Sequence, residues 1–292
     1  MSHTDSVCCA CHSTTFHEKF PDELGVSSPS LDYEFSPHTR KTFRIVECDN
    51  CGHQFCDPMP NLESGYEDTV DFTYLSTKAQ RTKTAISSLK ILDAYVDSGS
   101  RLLDVGCNAG FFLDVASKRF DVEGIELSNW SADLASKNHQ VHRQPLSSLH
   151  FTMKYDAITL FGVIEHFSDP SLEIAAAFQA LTPGGYIFIY TGDKNAILPR
   201  LLKKKWWWYQ GMHLQYFSKS SLRHLIERTG FVYIHSRRFP LFFSLNSLST
   251  SMNRYPLLRP ISKILASRLL NSMHIRISIS GEMMLIAKKP LP

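Results

Sequence analysis

The sequence lacks the features that mark several classes of protein. It begins without a basic region followed by an apolar segment, so we expect no secretory signal peptide. It contains no run of about 18 apolar residues, so we expect no membrane-spanning helix. An excess of one charge is also lacking, because 31 basic residues oppose 28 acidic ones and the net charge of +3 does not indicate a nucleic-acid partner. With 43% hydrophobic residues, these absences predict a globular protein of the cytoplasm.

Cysteine is almost absent after residue 56, because six of the seven cysteines lie within the first 56 residues. Such clustering in a protein expected to be cytoplasmic indicates a metal site and not disulfide bonds. Two C-x-x-C pairs supply the four thiolates that zinc binds in tetrahedral structural sites. We therefore predict a structural zinc ion held by Cys8, Cys11, Cys48 and Cys51.

The zinc ligand set stays open at this point. Cys9 and Cys56 are surplus to the two pairs, and His12 and His53 lie near them with imidazoles that could replace a thiolate. The alternative without metal, a set of free thiols, is less consistent with the double pairing.

Composition divides the chain into three segments. Residues 1–62 hold the cysteine pairs and predict a small zinc-ribbon-like module. Residues 63–100 become helical in pattern and predict a linker with a helix that acts as a lid. Residues 101–292 predict the main domain, with an apolar and basic insertion at residues 239–280 before the last strand.

Short apolar runs alternate with amphipathic stretches in the main domain. Strands and helices that alternate at this spacing are typical of a doubly wound parallel sheet, so the predicted fold class is α/β and Rossmann-like. The predicted strands lie at 102–106, 122–127, 155–163, 185–190, 231–238 and 282–289, and the predicted helices at 111–118, 130–137 and 220–229.

The segment RLLDVGCNAG (101–110) is the strongest candidate for a nucleotide site. Gly106 and Gly110 stand where the chain leaves the strand, and glycine is needed where a nucleoside approaches the backbone closely. Asp104 can hold the turn or face the cationic end of a ligand. Glu126 ends the next strand, where a carboxylate can accept both ribose hydroxyls of an adenosine. The alternatives are a plain strand-to-helix turn, or a dinucleotide oxidoreductase, which fits less well because G-x-G-x-x-G is absent.

Four motifs in combination resemble a known family. DVGCNAG, GIEL, YDAITLFGVIEHFSDP and LTPGGYIFI look like the motifs of class I S-adenosylmethionine (SAM) dependent methyltransferases. Within that class the chain is similar to the branch related to the ubiquinone-biosynthesis O-methyltransferase, and HLQYFSKSSLRHLIERTGF is typical of the same broad group. The resemblance covers residues 74–240 and the last strand. It implies a seven-stranded Rossmann-like sheet, SAM as the cofactor and methyl transfer as the reaction.

The resemblance also implies which residues bind the cofactor. The glycine turn and the acid before it would line the methionine part of SAM, and the acid after the second strand would bind the ribose. The chain departs from the family at Asn108, where relatives have a glycine, and after the third strand, where many relatives place an acid near the adenine. Gln144 or the backbone could replace that acid. The expected cofactor-binding set is Asp104, Gly106, Asn108, Gly110, Glu126, Leu127 and Gln144.

Methyl transfer also needs groups that align the acceptor and take its proton. His166 follows the fourth strand and titrates near neutral pH, so it is the first candidate for a general base, with a capping or positioning role as an equal alternative. His213, on the loop after the fifth strand, is the second candidate, and Tyr216 beside it is a candidate hydrogen-bond donor; packing of an aromatic loop is the favoured alternative for both. Tyr66 and Tyr74 are interpreted either as a lid over SAM or as core or hinge aromatics.

The N-terminal cysteine pairs ahead of such a domain carry a second resemblance, to the sugar methyltransferases of antibiotic and surface-glycan pathways. The C-terminal domain of the deoxysugar C-methyltransferases has no counterpart in this sequence, so C-methylation is not expected. The implied acceptor is a small molecule or a glycan, nucleotide-linked or lipid-linked.

The segment KKKWWWY (203–209) and the insertion combine basic with apolar residues. The favoured interpretation is that they cover the acceptor pocket and pack on the sheet. The alternatives are peripheral contact with lipid headgroups at the inner face of the membrane, or stacking on sugar rings or bases.

Three functions stay open. The first is methyl transfer to a small molecule or to a sugar of a glycan precursor. The second is an RNA methyltransferase whose zinc module binds RNA, which predicts a continuous basic face that the mild net charge does not support. The third is a scaffold that binds SAM or S-adenosylhomocysteine without turnover. Asn108 suggests this last function, whereas Asp104, Glu126 and the Glu-His pair at 165–166 argue for activity.

Overall fold

The structure is a computed structural model of the 292-residue chain. It describes residues 6–25, 41–60, 62, 66–150, 152–253, 259–260 and 273–292. The strands in chain order are β1 (Phe16–Phe20), β2 (Ile45–Cys48), β3 (Gln54–Cys56), β4 (Arg101–Val105), β5 (Asp121–Ile125), β6 (Gln140–His142), β7 (Tyr155–Phe161), β8 (Leu181–Gly192), β9 (Gln215–Tyr216), β10 (Val232–Arg238), β11 (Leu241–Ser244), β12 (His274–Ile277) and β13 (Glu282–Lys288). The α-helices are α1 (Phe72–Ser76), α2 (Lys78–Leu92), α3 (Phe111–Ala116), α4 (Asn129–Ala135), α5 (Pro170–Ala180), α6 (Ile197–Leu202), α7 (Lys219–Arg228) and α8 (Leu245–Met252).

Seven strands form the central sheet in the order β10-β13-β8-β7-β4-β5-β6. The five strands β4 to β8 all run parallel to one another, whereas β13 runs antiparallel to both of its neighbours, β8 and β10. This confirms the predicted Rossmann-like sheet of seven strands. Because the carboxyl ends of β4, β5 and β7 meet at one edge, the loops that follow these strands lie together at the edge where open α/β sheets bind ligands.

Both faces of the central sheet are covered by helices, and β4 shows why the sequence requires this. Leu103 and Val105 pack into a buried cluster on one face with residues of α5 and α7. Leu102 points to the other face, where residues of α2 and α3 bury it. A strand that is apolar on both faces is stable only between two layers, so the run of apolar residues places β4 in the centre of the molecule.

A second sheet of four strands, in the order β1-β2-β3-β9, forms the N-terminal module, and all its pairs are antiparallel. Its last strand comes from the main domain, since Phe55 of β3 pairs with Gln215 of β9. The apolar cluster beneath the sheet also mixes the two segments, because Ile45 packs in one cluster with Trp206 and Trp208. The module therefore extends beyond the predicted residues 1–62 and shares its sheet with the main domain.

The described part of the insertion forms a hairpin of β11 and β12 with α8 between the two strands. The hairpin is fixed to α2, because Thr84 Oγ1 accepts the N–H of Phe242 and Gln80 Oε1 accepts the N–H of Ser244, each at 3.0 Å. The predicted lid helix and the insertion thus pack together. The insertion residues 254–258 and 261–272 lie outside the described residues. Of the helices in the described ranges, none is both long and apolar enough to cross a bilayer.

Candidate functional site

The turn between β4 and α3 forms the floor of the site. Gly106, Asn108 and Gly110 all adopt positive φ angles, of 73°, 47° and 80°. A Cβ atom on Gly106 would overlap the side chain of Val163, so this position needs glycine. Asn108 adopts the left-handed conformation that asparagine tolerates, and its Oδ1 accepts the N–H of Ala109 at 2.7 Å. The departure from the family's glycine therefore keeps the backbone in a left-handed turn.

Glu126 directly follows β5 and faces this turn. Its Oε2 accepts the backbone N–H of Asn108 and its Oε1 accepts that of Ser128, both at 2.8 Å. Burial raises the pKa of this carboxyl above its usual value, and the backbone hydrogen bonds partly oppose the rise. Each carboxylate oxygen has a second lone pair, so Glu126 can still accept hydroxyl donors from a ligand.

Asp104 is the second buried carboxylate at this edge of the sheet. It is 4% exposed, and it accepts the hydroxyl proton of Thr159 at 2.6 Å. Burial raises the pKa of Asp104 to about 7, with a further contribution from the charge of Glu126. Within the described part of the chain, neither carboxylate forms an ion pair with a cation. Two such groups at adjacent strand ends suit a ligand that carries both positive charge and hydroxyl groups, as SAM does.

Tyr74, in α1, lies close to both carboxylates, and Arg81, in α2, packs on its ring. The ring of Tyr74 stacks on Phe111 with centroids 5.1 Å apart, and the guanidinium carbon of Arg81 lies 3.8 Å from the Tyr74 centroid. Burial raises the pKa of Tyr74 to about 12, Arg81 opposes the rise and Asp104 adds to it. Tyr74 therefore lies beside the two carboxylates, and its role as a lid stays a prediction. Sequence reasoning does not identify Arg81, because no motif distinguishes it from the other basic residues of α2.

His166 lies in a 3₁₀ turn, Ile164–His166, shortly after β7. Its Nδ1 is 3.0 Å from the carbonyl oxygen of Met212 and 2.9 Å from the hydroxyl oxygen of Tyr66. We assign the proton to Nδ1, because the carbonyl can only accept, and this leaves a lone pair on Nε2. Burial lowers the pKa of His166 to about 4, so the imidazole is neutral at pH 7.

His213 repeats this arrangement beside His166. The two ring centroids are 4.8 Å apart, and Nδ1 of His213 lies 2.8 Å from the carbonyl oxygen of Trp208. Burial lowers the pKa of His213 well below its ordinary value, and the proximity of His166 lowers it further. The structure therefore brings together the two histidines that the sequence singles out, both in the neutral form.

Glu165 completes the acceptor-side cluster. It is 2% exposed, its Oε2 accepts the hydroxyl proton of Thr191 at 2.8 Å, and its Oε1 lies 4.0 Å from Nε2 of His166. Burial raises the pKa of Glu165 to about 8, so this carboxyl is mostly protonated at pH 7. One donor atom from each of Glu165, His166 and His213 lies within 4.8 Å of the others, a spacing at which three side chains could hold a metal ion.

Tyr216, Gln144 and Leu127 complete the set of predicted site residues. Tyr216 is 2% exposed, and its hydroxyl donates to the backbone carbonyls of His213 and Gln210 at 2.8 and 3.3 Å. These bonds favour the packing role that the sequence analysis prefers for Tyr216 over a role as hydrogen-bond donor to the acceptor. Gln144 is exposed two residues beyond β6, whereas Leu127 is half-buried in the loop after β5.

A buried carboxylate at the start of β13 organises the tryptophan-rich segment. Glu282 accepts hydrogen bonds from the hydroxyl of Tyr190 at 2.7 Å and from the indole N–H groups of Trp207 and Trp208 at 2.7 and 3.0 Å. Burial raises the pKa of Glu282 to about 7. Trp206 and Trp208 are only 1% and 7% exposed, so these rings pack in the interior, and the lipid-contact interpretation does not apply to them. Sequence reasoning does not identify Glu282, because it reaches its partners only through the pairing of β13 with β8.

The four cysteines of the two pairs converge at one end of the second sheet. Their sulfur atoms lie within 4.8 Å of one another, with 3.6 Å between Cys8 and Cys51 and 3.5 Å between Cys11 and Cys48. A tetrahedral site with zinc–sulfur bonds of about 2.3 Å places its sulfur atoms roughly 3.8 Å apart. The donor set and its spacing therefore fit a zinc ion.

The backbone around the two cysteine pairs follows one pattern. His12 and Gly52 have positive φ angles of 59° and 68°, and each donates its N–H to the carbonyl of the first cysteine of its pair, at 2.8 and 2.9 Å. The surplus cysteines point elsewhere, because Cys9 lies 3.3 Å from Nε2 of His53 and Cys56 lies 3.7 Å from a backbone carbonyl oxygen. The ligand set that the sequence leaves open is thus narrowed to the four paired cysteines.

Comparisons with known proteins agree with the methyltransferase resemblance of the sequence motifs. Residues 77–236 match a family model described as a methyltransferase domain. The chain is 31% identical over 118 residues to a ubiquinone biosynthesis O-methyltransferase of Paraburkholderia phymatum (37% of this chain, 51% of the relative), and 30% identical over 141 residues to one of Psychrobacter arcticus (44% and 51%). It thus spans about half the length of these curated relatives. A SAM dependent methyltransferase of Archaeoglobus fulgidus has a similar fold, with a TM-score of 0.51, 16% identity and coverage of 75% of this chain and 100% of that one.

Proposed function

This chain belongs to the methyltransferase-domain family, and on that premise we propose that it transfers the methyl group of SAM to a small-molecule acceptor. The observation that carries the proposal is the pair of buried carboxylates, Asp104 and Glu126, at the ends of the paired strands β4 and β5. SAM supplies a methyl group activated by a sulfonium. Asp104 faces the positive charge of its methionine part, and Glu126 accepts the ribose hydroxyls.

On the acceptor side, the neutral imidazole of His166 would take the proton of an acceptor hydroxyl as its oxygen bonds to the methyl carbon and the carbon–sulfur bond of SAM breaks, which leaves S-adenosylhomocysteine. Met212 and Tyr66 hold its Nδ1, which leaves the lone pair of Nε2 for this proton. The imidazole then releases the proton to solvent. Because Glu165 is mostly protonated at pH 7, it adds little negative charge beside the acceptor.

We further propose that the acceptor is a sugar hydroxyl of a glycan or of its nucleotide-linked or lipid-linked precursor, methylated in the cytoplasm. The cysteine module, which resembles that of sugar methyltransferases, supports this class of acceptor.

The acceptor proposal is tested by incubating the protein with methyl-labelled SAM and extract of the source cells, then partitioning the label. We expect label in the nucleotide-sugar or lipid-extractable fraction, and none with the Glu126→Ala variant. Label in RNA would reject the sugar acceptor and would make the cysteine module a candidate RNA-binding element. Absence of label in every fraction, together with tight SAM binding, would replace the enzyme by a SAM-binding scaffold.

We propose that Cys8, Cys11, Cys48 and Cys51 bind one structural Zn²⁺, because their sulfur spacing fits its tetrahedral geometry. Cys48→Ser is expected to lose the metal, measured by elemental analysis, whereas Cys56→Ser, at a buried cysteine outside the cluster, keeps it. One equivalent of zinc retained by Cys48→Ser would contradict this ligand set.

A further inference from the structure

One buried side chain of β9 joins the cysteine module to the acceptor side. Gln215 is 2% exposed, and its Oε1 accepts a hydrogen bond from Nε2 of His53 at 2.9 Å. Its Nε2 donates to the carbonyl oxygens of Phe167 and Ser168 at 3.2 and 3.5 Å. His53 follows the second cysteine pair and Phe167 follows His166. A single amide group therefore connects the module to the loop that carries the candidate base.

The backbone around β9 makes the same connection. The N–H of Leu214 donates to the carbonyl oxygen of Glu165 at 2.8 Å. On the opposite side, Gln215 pairs with Phe55 of β3. The segment 213–215 is thus held between the module and the loop 165–168, and it carries His213 at its first position.

The first cysteine pair is fixed to the main domain as well. The hydroxyl of Ser171, in α5, donates to the carbonyl oxygen of Cys9 at 3.0 Å, and Arg228, in α7, donates to that of Ala10 at 3.3 Å. Both cysteine pairs therefore contact elements that flank the acceptor side. A metal that joined the two pairs would restrict the position of His53, which is bonded to the amide of Gln215.

We infer that Gln215 is a positioning residue for methyl transfer, through which the cysteine module holds His166 and His213 in place. On this inference the module acts on the geometry of the acceptor side and does not itself bind the acceptor. The catalytic consequence rests on the proposed function, whereas the structural connection does not.

The chain provides a matched control for Gln215. Gln54, in the neighbouring strand β3, is also 2% exposed, but its side chain donates to Glu47 and accepts from Tyr209, which are not part of the acceptor-side loop. Methionine at either position keeps the length of the side chain and removes its hydrogen bonds. Gln215→Met and Gln54→Met therefore remove equally buried amides. Only the amide of Gln215 connects the cysteine module to the acceptor-side loop.

Hydrogen–deuterium exchange measures this connection directly. The N–H of His166 donates to a carbonyl oxygen within the acceptor-side loop, and the N–H of Leu214 donates to the carbonyl oxygen of Glu165 in the same loop. Gln215→Met is expected to raise the exchange rate of both amides by about tenfold, the effect of losing roughly one hydrogen bond. Gln54→Met should leave them unchanged, and neither variant should alter the amides of 106–110. If Gln215→Met does not fold, Gln215→Glu serves instead, since it keeps an acceptor for His53 and loses the donor to Phe167.

Removal of the metal from the wild-type protein by a chelator should raise the same two exchange rates. Removal of the metal from Gln215→Met should raise these exchange rates little further, because the hydrogen bonds of the Gln215 amide are already absent in this variant. With the acceptor fraction found by labelling, Gln215→Met should lower kcat by about tenfold while the Kd for SAM stays unchanged. Unchanged exchange at His166 and Leu214 in the variant, or after metal loss, would overturn the inference. Absence of SAM binding by the wild type would instead reject the proposed function and leave the exchange result standing.

Discussion

The cofactor side and the acceptor side of this molecule are built in different ways. On the cofactor side, Asp104, the glycine turn and Glu126 belong to one continuous β4-α3-β5 unit. On the acceptor side, Glu165 and His166 follow β7 whereas His213 lies just before β9, and these two segments meet only through strand pairing and loop packing. The cofactor side is thus encoded locally, whereas the acceptor side depends on tertiary structure. A chain built this way can change its acceptor contacts without altering the unit that we propose binds SAM.

The two sides also differ in the direction in which burial shifts the pKa of the carboxylates on one side and the histidines on the other. Burial raises the pKa of Asp104 and Glu126, so the cofactor side holds acids that resist ionisation in the absence of a cation. Burial lowers the pKa of His166 and His213, so the acceptor side holds bases that resist protonation. The same physical cause therefore gives opposite responses to pH.

The largest expected effect is on the cofactor side. Glu126→Ala removes about two charge-assisted hydrogen bonds to SAM, each worth about 1.5–3 kcal/mol, so the Kd for SAM should rise by roughly 10²–10⁴-fold in isothermal titration calorimetry. Glu123→Gln, on the same strand but with its carboxylate bonded to His142 and Tyr155, is the control and should bind SAM normally. An unchanged Kd for Glu126→Ala would remove Glu126 from the site.

On the acceptor side, His166→Ala should lower kcat by about 10²-fold or more, the usual contribution of a general base, and leave the Kd for SAM unchanged. Comparison of turnover with binding separates the two sides. A change in acceptor KM alone would make His166 a positioning group, and weaker SAM binding would mean that the two sides are not independent.

The opposite pH responses give a third, smaller effect. Asp104 has a folded pKa of about 7 against an ordinary value of 3.8, so its ionisation destabilises the SAM-free fold increasingly as pH rises from about 4 to 7. Asp104→Asn should therefore raise the melting temperature by several degrees at pH 8 and by little at pH 4, measured by calorimetry without SAM.

His166 has a folded pKa of about 4 against an ordinary value of 6.5. The stability that its neutral form contributes to the fold is therefore complete above pH 6.5 and is lost as pH falls toward 4. His166→Gln should therefore reduce the acid sensitivity of the wild type between these limits. Parallel pH curves for the wild type and for either this variant or Asp104→Asn would show that burial does not control these groups.

The smallest effect is expected at Asn108. Asn108→Gly supplies the left-handed conformation without a side chain, so the turn keeps its shape and the Kd for SAM should change by less than about threefold. Asn108→Val places a β-branched residue at a φ of 47° and should weaken SAM binding much more. Equal affinities for the two variants would show that the shape of this turn does not matter for binding.

Much of the main domain could be predicted from the sequence, because local patterns determine it. The apolar runs of β4, β5, β7 and β13 predicted strands within one or two residues of their observed bounds, and the glycine turn lies where those runs place it. The pattern could not predict that Gln215 and Tyr216 form a strand of the second sheet. Two residues are too short a run to show a period, and their partner strand lies far away in the chain.

The acceptor side was predicted only in part for the same reason. His166 and His213 carry chemistry that can be recognised in isolation. Elsewhere in the molecule, Glu282, beside the tryptophan-rich segment, and Arg81, on the cofactor side, are informative only once it is known what they face, namely indole N–H groups and the ring of Tyr74. The tryptophans of 206–208 were open to a lipid interpretation because composition alone does not show which rings a neighbouring segment buries.

The pairing of β3 with β9 also sets an order for events during synthesis. The sheet that begins at Phe16 cannot be completed until Tyr216 has left the ribosome, which at about 5–20 residues per second comes on the order of 10–30 seconds after β3. Both cysteine pairs emerge long before that time. Binding of the proposed zinc ion by the nascent chain would therefore precede the closure of the sheet and keep β2 and β3 together while their last partner is still being made.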